Sequence, residues 1–325
     1  MKNKQCKNCK KYFKFQSSYG LTTPILGPVF TELNTKINSF VPCLTMCPKG
    51  PDGYVPVLET EKAILDGRLD CAFTGLSYSF AQNSIFELFT SVPFGIEADA
   101  YITYLFDKGG LERLNIEAEK DGFFFYPMAL LPPETGGWFN KEITTIADFS
   151  DITMRIYGLG RNIMEEVGAK TVFLPQSAII PALKSGEINA AEFSTIEIDE
   201  SIGLPETLKY WYTPSWNQLS TVLYFVCNIK KWKSLTVKQQ EMTKAFLREN
   251  MQNNYLTSNS KQIDYLLKYK SQLKVFPDNV LDSMKVAWEN WLNKPENQEV
   301  KIEYEKIRAF GVQFSSYDDI MKKNV

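Results

Sequence analysis

Asp151-Ile-Thr-Met-Arg-Ile-Tyr-Gly-Leu-Gly160 is the stretch whose reading decides the fold. Ile152 to Ile156 is a short run of strand type, Gly158-Leu-Gly160 turns the chain, and a helix-like segment follows from Arg161 to Val167. That is the strand, turn and helix unit of an α/β protein. Arg155 stands inside the strand run. An arginine there either faces solvent or is held at the strand's end, where the sheet meets a crevice and ligands bind. A guanidinium is planar, always charged and forked to match a carboxylate, so burying it calls for a buried anion. An internal Asp or Glu is the commoner partner for such a residue, and a ligand is the alternative.

Working outward, the same layout recurs on both sides. Val57 to Leu65 reads as a short helix closed by Asp66-Gly67, after which Arg68-Leu-Asp-Cys-Ala-Phe-Thr74 reads as a strand leaving into Gly75-Leu-Ser-Tyr78. Ala182-Leu-Lys-Ser-Gly-Glu-Ile-Asn-Ala-Ala-Glu-Phe-Ser194 repeats it. A glycine just past the last helical turn supplies the left-handed cap that reverses the chain into a strand. Two such units, each ending in polar or aromatic residues, imply a pair of similar α/β lobes facing each other across a cleft.

Elsewhere, Tyr12 to Gln16 alternates like a strand, and Thr22 to Asn38 places Ile25, Val29, Leu33 and Ile37 at helical spacing, with Pro24 and Pro28 against its first part. Phe86 to Phe94 is a very apolar run, and Glu97 to Leu105 reads as a helix. Asp121 to Leu131 and residues 219 to 229 are apolar strands that cross between the lobes. Thr236 to Lys270 has no Pro or Gly, and at ~1.5 Å per residue it makes a helix roughly 50 Å long that spans both lobes. After Phe276-Pro277, Asp278 caps a helix through Leu292, and Glu296 to Phe314 supplies a last one.

Composition narrows the chemistry. With 325 residues, 44% hydrophobic and 23% charged, the chain is an ordinary soluble globular one with room for two lobes. A net charge of -2 carries no nucleic-acid footprint, and no apolar run approaches bilayer length. The sequence contains no histidine. This excludes Ser-His-Asp and Cys-His nucleophiles, histidine-ligated zinc and imidazole acid-base work, and leaves paired carboxylates or lysine. Cys6-Lys-Asn-Cys9 and Cys43-Leu-Thr-Met-Cys47 are two close pairs that suit either four-thiolate zinc or disulfides, while Cys71 and Cys227 sit in apolar strand runs as small core residues. The lysine-rich start has the charge of an export signal's first part without the apolar stretch that follows in one. No export signal is therefore read here.

The segments above carry a resemblance. Pro133-Glu-Thr-Gly-Gly-Trp-Phe-Asn-Lys-Glu-Ile143, Ile146-Ala-Asp-Phe149 with Thr153 to Gly160, Ile180 to Phe193, Tyr212-Thr-Pro-Ser-Trp-Asn-Gln218, Val92-Pro-Phe-Gly95 and the C-terminal helices resemble the substrate-binding proteins of tripartite ATP-independent periplasmic (TRAP) transporters, the DctP-like family. The likeness covers nearly everything from Tyr12 onward. It implies a type II-like, two-lobed α/β periplasmic binding protein with a ligand cleft and a long helix spanning both lobes. A tail covers residues 1–11, lobe 1 covers 12–128 plus 219–245, and lobe 2 covers 129–218 plus 246–325.

The implied function is capture of a small organic carboxylate, such as a 2-oxo or hydroxy acid, and its delivery to TRAP membrane permease subunits in the periplasm, with no enzymatic step. Arg155 sits where the family's carboxylate-binding arginine sits. Glu192 and Phe193 match the family's Glu-aromatic pair at the cleft wall, where the Glu helps hold a bridging cation in members that bind 2-oxo acids or lactate. Glu134 stands where Gln is common and Gln218 where a carboxylate is common, so the number of acids is conserved and oxygen ligands for Na⁺ or Ca²⁺ remain, with Glu134, Glu192, Phe193 and Gln218 as the set. Direct pairing of Glu134 and Glu192 with Arg155 is the alternative to a cation. Tyr78 is placed to hydrogen-bond the ligand from lobe 1, beside Thr74. Tyr157 lines either the ligand or the lobe interior, Trp216 packs the wall, and Asn217 replaces a His of relatives. No organic cofactor is implied, and the C-terminal helices suit a homodimer. Competing readings are a stand-alone carboxylate sensor, or an enzyme using Glu134 and Glu192 as acid and base.

Overall fold

The computed structural model describes residues 11–80 and 83–322, so Cys6 and Cys9 lie outside the described residues. Eleven strands occur among the described residues: β1 (Lys11–Ser17), β2 (Leu44–Lys49), β3 (Cys71–Thr74), β4 (Phe123–Leu131), β5 (Trp138–Phe139), β6 (Thr153–Arg155), β7 (Lys170–Val172), β8 (Ala190–Ala191), β9 (Tyr210–Thr213), β10 (Thr221–Asn228) and β11 (Leu273–Val275). They form two sheets interleaved with helices, the mixed α/β architecture expected. The chain divides into two compact units. Unit 1 holds residues up to Gly75, Arg113–Leu130 and Leu223–Leu256, and unit 2 holds Leu76–Glu112, Leu131–Val222 and the chain from Thr257 onward.

Unit 1 is built on a five-stranded sheet in the order β2-β1-β3-β10-β4. β1 pairs in parallel with β2 and β3, and β10 runs antiparallel to β3. The alternation read in Tyr12 to Gln16 holds for the start of β1, which then becomes buried on both faces as it enters the sheet's centre. Phe15, Phe30, Phe73 and Phe225 are fully buried there, with Phe15 centred 4.7 Å from Phe30 and 5.5 Å from Phe225. Each such burial stabilises by about 2–3 kcal/mol. The Gln16 side chain accepts from Tyr54 and Val55 amides and donates to Val55 O, which ties down the turn read at Gly50 to Tyr54.

The helix read from Thr22 begins only at Leu26, because Pro24 and Pro28 fit a first turn but not a helix interior. Cys43 directly precedes β2 and Cys47 lies within it. Four residues of extended chain separate them by roughly 13 Å, so this pair does not form the disulfide that its spacing allowed.

Unit 2 is built on a six-stranded sheet in the order β11-β9-β5-β8-β6-β7. β6 pairs in parallel with β7 and β8, and β5 runs antiparallel to β8 and β9. Both cap glycines adopt the left-handed backbone expected, Gly67 at φ 82 in unit 1 and Gly186 at φ 78 in unit 2. The apolar run at Phe86 is the helix Ser84–Thr90, started by the Asn83 side chain accepting from Ile85 N at 3.1 Å.

Val237–Lys268 is one 32-residue helix whose residues to Leu256 belong to unit 1 and from Thr257 to unit 2. Asp278 does not cap its helix. Pro277 is the capping residue, Asp278 is already in the first turn, and no side-chain cap bond forms. The last helix runs Gln298–Lys322, longer than read, and the helix Gly110–Lys120 was not anticipated.

Candidate functional site

Arg155 ends β6, with β7 on one side and β8 on the other. The ends of those neighbours hold its side chain. Nε donates to Leu174 O at 3.0 Å, beyond β7, and Nη1 donates to Glu192 O at 2.5 Å, beyond β8. Glu192 N returns a bond to Arg155 O at 2.8 Å. The residue is fully buried, yet Nη2 has no partner, and no Asp or Glu among the described residues pairs with it. The internal salt bridge is thus not what holds this arginine. Its guanidinium carbon lies 5.1 Å from the Tyr157 ring centre and 5.0 Å from that of Phe193. Tyr157 meets Tyr78 edge-on at 5.8 Å, and Tyr78 meets Phe173 at 5.0 Å.

The turn after Tyr157 is what lets β6 end here. Gly158 has φ 70 and ψ -164, a conformation essentially closed to residues with a side chain, and a Cβ there would also press on Ser77.

Glu192 is fully buried, and neither carboxylate oxygen accepts a hydrogen bond. Burial pushes its pKa up to about 7, against the pull of the Arg155 charge. Neither Glu134 nor Asn217 reaches Glu192 with hydrogen-bond geometry. Glu134 is also buried and its pKa is raised well above the usual range, first by burial and then by the charge of Glu192. Two carboxylates that close do not both ionise cheaply without a cation between them.

Glu134 N donates to Gln218 O at 3.1 Å. With the Gln218 amide turned so that its nitrogen faces Glu134, it donates to both carboxylate oxygens at 3.1 Å and to Thr221 Oγ1 at 2.7 Å. Asn217 is 2% exposed and both of its amide atoms are without partners. Trp216 spends its indole N–H on Gly136 O at 3.0 Å and packs 6.2 Å from Phe94. Gly136 has to be glycine, since a Cβ would meet Pro214 O at 2.7 Å and Tyr212 O at 2.8 Å.

Unit 2 therefore brings together Arg155, Tyr157, Glu192, Phe193 and Tyr78, with Glu134 and Asn217 near Glu192 and Gln218 against Glu134. Thr74 belongs to unit 1, at the buried end of β3, where its hydroxyl donates to Gly75 O at 3.3 Å. Among the described residues no group of three or more Cys, Asp or Glu is arranged to hold a metal. The donor set is two carboxylates supplemented by amide oxygens, which fits a hard cation such as Na⁺ or Ca²⁺ and not zinc.

One residue that braces the site escaped the sequence reading. Asp199 is fully buried and accepts from Trp138 Nε1 at 2.7 Å, Thr135 Oγ1 at 3.0 Å and Ser194 N at 2.9 Å. It thereby fixes Thr135, next to Glu134, and Ser194, two residues from Glu192. Burial raises its pKa well above the usual range, against the pull of these bonds. The only sequence signal was an acid early in a short helix, which reads equally as a dipole partner.

Comparison with known proteins puts this arrangement in context. The family described as bacterial extracellular solute-binding protein, family 7 (DctP), matches residues 56–298. A monocarboxylate 2-oxoacid-binding periplasmic protein of Nostoc sp. is 28% identical over 271 residues, covering 82% of this chain and 74% of that protein. A TRAP periplasmic solute-binding protein of Pseudoalteromonas atlantica with bound sodium and pyruvate superposes with a TM-score of 0.91 at 21% identity, over 97% of this chain and 98% of that one. A TRAP transporter solute-binding protein of Bordetella bronchiseptica, with copurified calcium and picolinate, gives 0.90 at 21% identity over 98% and 97% of the two chains. These structures share the two-lobed fold.

Proposed function

Since the chain belongs to the bacterial extracellular solute-binding protein family 7, we propose that it captures a small organic carboxylate through Arg155 in the periplasm and passes it to the membrane permease of a TRAP transporter. The observation that carries this reading is the buried Arg155, whose Nη2 has no partner, beside a buried Glu192 whose two oxygens have none. An unpaired buried charge costs several kcal/mol, and a ligand carboxylate on the guanidinium fork removes that cost. Glu192 would then face a second anion at short range. A cation resolves the conflict, and Glu192, Glu134 and the backbone carbonyl of Phe193 would hold it, with Gln218 joining them once its amide oxygen replaces its nitrogen in facing Glu134.

Bound there, Na⁺ or Ca²⁺ would draw the ligand's oxygens toward Glu192 while Arg155 fixes its carboxylate. Tyr157 and Phe193 pack the guanidinium so that its free nitrogen has one direction in which to bind. Asn217 has a donor and an acceptor available to an oxygen on the carbon next to the carboxylate. No bond is made or broken in this scheme, and the residues bind, orient and exclude water.

The test is calorimetric titration of ligand-stripped protein with pyruvate, lactate and picolinate, with and without Ca²⁺. One site per chain is expected, weakened by chelator, with the chelator effect lost in Glu192→Gln. Absence of binding by all three acids in the presence of Ca²⁺ would overturn the reading.

A further inference from the structure

Cys71 and Cys227 lie directly opposite each other on the central antiparallel pair of unit 1, β3 and β10. The next pair along is hydrogen-bonded, since Asn228 N donates to Asp70 O at 3.0 Å. The cysteines therefore occupy a non-hydrogen-bonded position, where facing Cα atoms are ~4.5 Å apart and the side chains approach most closely. That spacing lies within the range a disulfide spans, roughly 4.4–6.8 Å. Both residues are fully buried and both thiols are free. The Cys71 thiol sits 3.6 Å from Lys14 O and 3.9 Å from the Met46 sulfur, and that of Cys227 sits 3.5 Å from Asn228 O. Burial raises the Cys71 pKa, and the neighbouring Cys227 raises it further.

We propose that Cys71 and Cys227 are a cross-strand oxidation site that closes into a disulfide by exchange with a disulfide-bearing oxidant. One thiolate attacks the oxidant's disulfide, forming a mixed disulfide and releasing one oxidant thiol. The second thiolate attacks the mixed disulfide at the protein sulfur, forming the Cys71–Cys227 bond and releasing the other oxidant thiol. The two protons lost by the cysteines end on the two released thiols, and the two electrons reduce the oxidant. Because neither thiol is exposed in the fold, exchange takes place while β10 is still docking onto β3. The bond would join strands roughly 150 residues apart in sequence, a long loop whose closure stabilises strongly. This inference concerns unit 1 and stands independently of the carboxylate site.

The experiment uses a variant with Cys6, Cys9, Cys43 and Cys47 replaced by Ser, refolded from denaturant in reduced glutathione or in a mixture of oxidised and reduced glutathione. Samples are then unfolded, alkylated and weighed. The oxidised sample should be lighter by two hydrogens and take up no alkyl group, whereas the reduced sample takes up two. Oxidation should raise Tm by roughly 5 °C, and the rise should vanish when Cys71→Ser or Cys227→Ser is added. Peptide mapping of the unmodified protein after the same refolding should recover the linked Cys71 and Cys227 peptides, which keeps the test valid if the four-serine variant folds poorly. Two alkylatable thiols after oxidative refolding, stable glutathione adducts, or bonds only between chains would each overturn the proposal.

Discussion

Asp199 and Glu192 are both fully buried acids in unit 2, and they are treated in opposite ways. Asp199 accepts from an indole, a hydroxyl and a backbone amide, drawn from Trp138, Thr135 and Ser194. Glu192 accepts from nothing with either oxygen, and the nearest cation, Arg155, keeps one nitrogen equally unused. A satisfied buried carboxylate stitches elements together, while an unsatisfied one is held at a cost that only a bound partner removes. The difference separates scaffold from site within a few residues of sequence.

The strongest way to break that comparison is to remove the unused guanidinium. Arg155→Ala should lower affinity for the cognate acid by two orders of magnitude or more, about 3–5 kcal/mol, because the ligand carboxylate would be left buried and unpaired. Arg155→Lys should lose most of the affinity too, since an ammonium lacks the planar fork. Stability without ligand should change by less than about 1 kcal/mol, as the lost carbonyl bonds offset the relief of a buried unpaired charge. Calorimetry alongside urea unfolding checks both halves, and near-normal affinity in either variant would refute the role given to Arg155.

Asp199 should show the reverse signature. Asp199→Ala strands the Trp138 indole N–H, the Thr135 hydroxyl and the Ser194 amide, at about 1 kcal/mol or more each. A loss of about 3 kcal/mol in unfolding free energy is expected, with Asp199→Asn between it and the parent. If unfolding is unchanged while binding is abolished, Asp199 belongs with the ligand and not with the scaffold.

Why Glu192 was legible from sequence and Asp199 was not follows from the distance over which each makes its contacts. Arg155 and Glu192 sit at strand ends flagged by local signals, a glycine turn after Tyr157 and a helix-Gly-strand unit before Glu192. The DctP-like resemblance then implied the roles proposed for them. The partners of Asp199 come from 61 and 64 residues away and from the backbone of the strand exit, and no local pattern encodes that convergence. The sheets, the long helix and both cap glycines were readable because propensity and tertiary context agree there. The helix Gly110–Lys120 was hidden by Gly109-Gly110, which reads as a loop, although Leu114 and Ala118 beneath it are buried at helical spacing. At Asp278 the rule that Asp caps helices lost to Pro277, whose fixed φ lets it serve as the cap one residue earlier.

A third buried acid sharpens the comparison, because it is unsatisfied without standing beside an unpaired arginine nitrogen. Glu87, in the helix Ser84–Thr90, is 1% exposed with Oε1 unpartnered, and burial lifts its pKa from 4.5 to about 7 against a weaker pull from Arg161. A folded-state pKa above the unfolded value means that folding favours the protonated form. The stabilisation is complete below the unfolded pKa of 4.5 and disappears as pH rises through about 7. Ligand-free protein should therefore lose about 2 kcal/mol of stability between pH 5 and pH 8 through this group alone. Glu87→Gln should flatten that part of the profile while leaving carboxylate affinity within about twofold. Urea unfolding at a series of pH values reads the slope directly. An unaltered slope would place the cost of Glu87 elsewhere. A collapse of affinity would show that an unsatisfied buried acid marks the binding site even away from Arg155, and the distinction drawn between Glu192 and the rest would fail.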